Sequence, residues 1–137
     1  MESYKPHHES FKRAWDFRVE YEFLPLDSQV RYTFVPTQGE PHRLIYQGSR
    51  FNFRYSTEGE YKNAHSIIWP EFEDKGGFLI LGKWTPIEPF GTARMWIVND
   101  NSIEYHRKYL AIGTTGYITD GHLDIAICKV IELNRLK

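Results

Sequence analysis

The chain is poor in cysteine, in net charge and in long apolar runs, and each shortage removes a class of protein. A single cysteine, Cys128, among 137 residues rules out an intramolecular disulfide and any zinc site built from several thiolates. Small secreted domains are usually stapled by disulfides, so the expected location is the reducing cytoplasm. The 17 Lys and Arg stand against 18 Asp and Glu, a formal net charge of −1. Coating nucleic acid or anionic membrane requires an excess of cations, so such a partner would need a local patch. No run approaches the ~20 apolar residues of a membrane span, and the opening MESYKPHHESFKRAWDF has no signal-peptide core. No glycine-rich loop opens a helix and no Ser or Cys sits in a nucleophile elbow, so neither cofactor nor covalent catalysis is expected.

Aromatic side chains are abundant, 16% of residues within a 41% hydrophobic total, which suits half-buried strands. Residues 1–14 are polar apart from Tyr4 and Phe11. They read as an N-terminal extension, with a helical turn bringing Phe11 and Trp15 together. From residue 15 the period becomes two: Phe17, Val19, Tyr21 and Phe23 alternate with Asp16, Arg18, Glu20 and Glu22. Further strands are expected at 30–36, on both sides of Gly48, around 65–72, at 78–82 as an apolar run buried on both faces, and at 93–98. Residues 104–113 read as a strand or a short connection. Asp120-Gly121 is a hairpin turn leading into a long strand over 122–133. Short strands, frequent turn residues and almost no helical period predict an all-β fold. The expected form is a small antiparallel barrel of about six or seven strands occupying 15–137 as one domain. Phe51, Phe53, Met95, Ile97, Ile125 and Ile127 are the expected inward residues.

The order VRYTFVPTQGEPHRLIYQGSRFNFRY, then GTARMWIV, then YLAIGTTGYITDGHLDIAICKVIEL resembles the third, C-terminal domain of elongation factor Tu over about residues 29–134. Gly39 stands at the first turn, Gly48 with Arg50 at the second, and Phe51-Asn52-Phe53 in the aromatic strand that follows. The resemblance implies a stand-alone translation-factor-like barrel that docks on a partner. In that family a Gly-Gly-Arg turn lies on the side that meets transfer RNA. Here the turn is Gly39-Glu40-Pro41, and no proline follows the second arginine. A carboxylate at that turn repels phosphate, so the expected partner is a protein ahead of RNA.

The candidate contact surface is His42, Arg43, Arg50 and Arg54, a concentration of positive charge with no carboxylate in the same stretch, interleaved with Tyr46, Phe51, Phe53 and Tyr55. Such a pattern can track a phosphate backbone and stack bases. Period two, however, would send the rings inward and the arginines outward. His7 and His8 read as a solvated tail, and Glu71, Glu73 and Asp74 as a solvated acidic loop. His65 and His106 are isolated, and Cys128 reads as a buried, inert thiol with a raised pKa. Three functions fit these residues. One is a non-catalytic protein-binding module. Another is a small immunity or antitoxin protein that neutralises a toxin by surface complementarity. The third is a hydrolase using the alternating Asp120, His122 and Asp124. The first is the expectation carried forward.

Overall fold

A computed structural model describes residues 4–24, 45–58, 67–82, 85–120 and 123–134. The expected strand at 30–36, the turn at Gly39, and His65 lie outside the described residues, as do the two central residues of the Asp120-Gly121 hairpin. Short helix α1 (His7–Phe11) precedes strand β1 (Phe17–Phe23), followed by β2 (Asn52–Tyr55), β3 (Ile68–Phe72) and β4 (Phe90–Ile97). Helix α2 (Ile103–Arg107) then leads to β5 (Thr115–Asp120) and β6 (Leu123–Leu133). The strands form one antiparallel sheet in the order β2-β5-β6-β1-β4-β3, curled into a half-barrel. The all-β expectation is met.

The concave face holds the core. β1 supplies Phe17, Val19, Tyr21 and Phe23, all buried, while its alternate residues face outward. Phe53 and Tyr55 from β2, Met95 and Ile97 from β4 and Ile118 from β5 close over them. Each large apolar side chain so buried contributes about 1.5–3 kcal/mol. Gly116 on β5 is needed for close approach: a Cβ there would lie 2.4 Å from the Phe53 ring and 2.6 Å from the Arg54 carbonyl oxygen. Gly48, expected at a corner, adopts a left-handed φ of 97°, and the Tyr4 ring packs against it.

Of the six expected inward residues, Phe53, Met95, Ile97 and Ile125 are buried and Phe51 packs partly against the core. Ile127 is not: it is 41% exposed on the outer face. The cause is a bulge. Ile118 pairs with Ala126 but Thr119 pairs with Asp124, so Ile125 is an extra residue that reverses the alternation. Beyond it Ala126, Cys128 and Val130 point inward, and Ile127 and Lys129 outward.

Two further expectations change. Residues 78–82 are not a strand buried on both faces: they meet the end of β3 through the Ile80 N–H to the Phe72 carbonyl and, just beyond it, an isolated bridge between Glu73 and Leu79, with Phe78 72% and Leu81 50% exposed. Residues 103–107 are helical, because His106 and Leu110 fall on one buried face and the rings of Tyr105 and Tyr109 meet one turn apart. Pro70 sits inside β3, which is tolerated because β3 is an edge strand. Beside it, the Gln47 amide accepts from the Phe72 N–H and donates to the Phe72 carbonyl, both at 2.8 Å.

Candidate binding surface

The outer face divides into a covered end and an open end. At the covered end Trp69 and Glu71 of β3 and Trp96 of β4 point away from the core, yet Glu71 and Trp96 are buried. The N-terminal segment lies over them. The Glu71 Oε2 accepts from the Tyr4 hydroxyl at 2.5 Å and the His7 backbone N–H at 2.7 Å, and Oε1 accepts from the Trp96 indole at 2.8 Å. Phe11 stacks on Trp96, and the His7 ring contacts both tryptophans. Arg13 continues the cover, its guanidinium over Phe11 and Trp96 and paired with the buried Asp16.

Burial raises the Tyr4 hydroxyl pKa, and its hydrogen bond to Glu71 raises it further. His7 is lowered below its ordinary value, chiefly by burial and with the Arg50 charge adding to it, against the opposing pull of Glu71. The helix ends at Lys12, whose φ of 56° is left-handed, so Trp15 does not share a helical face with Phe11.

Next along the outer face lies a second enclosed carboxylate. Glu73 accepts from Arg18 Nη2, Thr92 Oγ1 and Arg94 Nε, each at 2.7 Å, and Arg18 also reaches Glu132 at 2.7 Å. Burial alone would raise the Glu73 carboxyl, but these hydrogen bonds outweigh it and hold the group below the usual carboxylate range. Glu71 and Glu73 are therefore not a solvated acidic loop, nor is His7 a solvated tail. The only signal in the sequence was their shared parity with Trp69, and nothing local to it says what would cover that face.

The open end is a groove of about 660 Å³ lined by Glu20, Glu22, Phe90, Thr92, Ile127 and Lys129 among others. Glu22 pairs in register with Phe90 on one side and Ile127 on the other, so the three form a row across β4, β1 and β6. Phe90 is 68% exposed. Neither Glu20 nor Glu22 makes an ion pair or side-chain hydrogen bond among the described residues.

The sequence-derived contact residues are only partly brought together. His42 and Arg43 lie outside the described residues. Arg50 is exposed, with its guanidinium 4.5 Å above the Trp69 ring. Arg54 is not free of carboxylates: Asp124, from β6, accepts from its Nε at 3.1 Å and Nη2 at 2.7 Å, and the guanidinium lies over Tyr117. That partner is 70 residues away in sequence, which is why the local stretch looked unbalanced.

The same pairing occupies one member of the Asp120–His122–Asp124 set, and His122 lies outside the described residues. His106 is buried and shares a 2.6 Å hydrogen bond with Tyr55. Cys128 is buried, and burial raises its thiol pKa. Among the described residues no cluster of three His, Cys, Asp or Glu could hold a metal ion, and no helix is long and apolar enough to cross a membrane.

Comparison with family models, with curated proteins and with solved structures gives no match to this chain. The resemblance to the third domain of elongation factor Tu therefore stands on its sequence motifs alone.

Proposed function

We propose that the chain is a non-catalytic binding module that docks on a protein through the open end of its outer sheet face. The observation that carries this reading is the row Phe90–Glu22–Ile127, two exposed apolar side chains flanking a carboxylate that has no partner among the described residues. The complementary partner presents aliphatic or aromatic side chains around a lysine or arginine. Apolar anchors supply the binding energy, and the Glu22 pair sets register and excludes acidic competitors. Phosphate backbone is disfavoured here, because Glu20 and Glu22 line the groove and Arg54 already has Asp124. The resemblance to a translation-factor domain that works by docking supports the same class.

The test pairs capture from a lysate of the source with calorimetry on the isolated partner. Phe90→Ser combined with Glu22→Lys should weaken binding by at least about tenfold, the loss of one apolar anchor and one charge contact. Full affinity in that variant, with loss in a variant reversing Arg43 and Arg50, would move the surface to the basic segment and overturn the assignment.

A further inference from the structure

A second cavity, of about 450 Å³, opens between the N-terminal segment and the β3 edge, lined by Tyr4, Lys5, His7, Phe11, Arg50 and Trp69 with Ser10, Gln47 and Gly48. Among the described residues no Asp or Glu lines it. Its charge is the reverse of the groove at the other end of the sheet. Lys5 and Arg50 make no ion pair among the described residues, and burial keeps His7 below its ordinary pKa. Glu71 lies beneath, wholly buried, with both oxygens already accepting from Tyr4, His7 and Trp96.

We infer that this cavity is a binding site for a small aromatic anion, a single flat ring or base carrying a carboxylate or phosphate. The argument rests on how Arg50 is held. Its Cζ lies 4.5 Å from the Trp69 ring centroid, a cation–π contact, and its N–H donors make no hydrogen bond among the described residues, so they are available to an oxyanion. The contact with Trp69 restrains the side chain before any ligand arrives, so less rotamer entropy is lost on binding. Lys5, exposed, adds a second cation to the lining. The rings of Tyr4, His7, Phe11 and Trp69 also line the cavity, which favours a flat apolar body over a bare inorganic ion. The volume suits a ligand of one or two rings. This site is separate from the docking row of Phe90, Glu22 and Ile127, so each stands or falls without the other.

Benzoate and phenyl phosphate serve as anionic probes and benzyl alcohol as the neutral control, with the Trp69 indole N–H followed by NMR and affinities taken from the titrations. Either anion should move the Trp69 signal saturably and bind at least about tenfold more tightly than benzyl alcohol, the difference expected of a charge-assisted contact. Arg50→Ala should weaken the anion at least about tenfold. The buried Trp96 indole signal, unchanged in that variant, shows that the fold and the N-terminal segment are intact. If Arg50→Ala does disturb Trp96, Lys5→Ala replaces it, and its affinity for the anion should also fall. Equal binding of the neutral control, unchanged affinity in the variants, or no saturable shift up to about 10 mM of either anion overturns the assignment.

Discussion

Glu71→Gln alters one atom of a side chain, an oxygen replaced by an amide nitrogen, and the structure makes it expensive. One carboxylate oxygen faces the Trp96 indole N–H and the other faces the His7 backbone N–H. Both groups can only donate. Whichever way the amide turns, its NH₂ confronts a buried donor. Losing a hydrogen bond to a charged acceptor costs ~1.5–3 kcal/mol, and stranding a buried donor costs a similar amount that overlaps with it. The net expectation is a loss of about 2–4 kcal/mol, a large share of a domain's stability. At this chain length each kcal/mol shifts Tm by roughly 3–4 °C, so thermal unfolding followed by circular dichroism should fall by roughly 6–16 °C. Tyr4→Phe removes one donor from the same oxygen but leaves His7 in place, so it should cost less. Trypsin cleavage at Lys12 and Arg13 reports whether the N-terminal segment undocks before the sheet unfolds. A Glu71→Gln protein within about 0.5 kcal/mol of wild type, or one more stable than Tyr4→Phe, would refute the role given to this carboxylate.

Ile125 and Ile127 should separate in a urea titration: truncation to alanine should cost ~2–5 kcal/mol at the buried Ile125 and about 0.5 kcal/mol or less at the exposed Ile127, and equal losses would deny the bulge. Gly116→Ala should destabilise by ~1–3 kcal/mol, because the new methyl meets Phe53 and the Arg54 carbonyl, and an unchanged melting temperature would contradict that packing. Glu73 sits below the usual carboxylate range, so its contribution is full above the unfolded value of about 4.3 and is lost as pH falls toward the folded value. Urea midpoints at about pH 6 and about pH 3 should therefore converge in part for Glu73→Gln relative to wild type, and parallel acid slopes in the two proteins would exclude it.

The strands were legible where one local rule decided them. Alternation marked β1, the Asp-Gly turn marked the β5–β6 junction, and Phe53, Met95 and Ile97 face inward as the period requires. The rule failed at Ile127 because parity carries across a strand only until a bulge resets it, and the Ile125 bulge is defined by pairing with β5, not by any residue type in β6. His7 looked solvated because its neighbourhood is polar, and Glu71 because it falls with Glu73 and Asp74 at the end of an apolar run. Their burial comes from the meeting of segments 64 residues apart. The Arg54 ion pair was hidden for the same reason. Helix α2 escaped notice because its periodic stretch is one turn long, too short for its pattern to stand out from the surrounding strands.

The Gln47 amide has a consequence for how this sheet can meet other chains. An open sheet leaves backbone N–H and C=O groups along its outermost strand, a template onto which an extended peptide can zip. On β3 that template is broken at Pro70 and at Phe72. Pro70 has no N–H to offer, and both backbone groups of Phe72 are satisfied by one side-chain amide standing in for a neighbouring strand, with the Ile80 N–H also donating to the Phe72 carbonyl. Over this stretch the molecule is closed to partners that recognise bare backbone, and an incoming chain has to be read through its side chains.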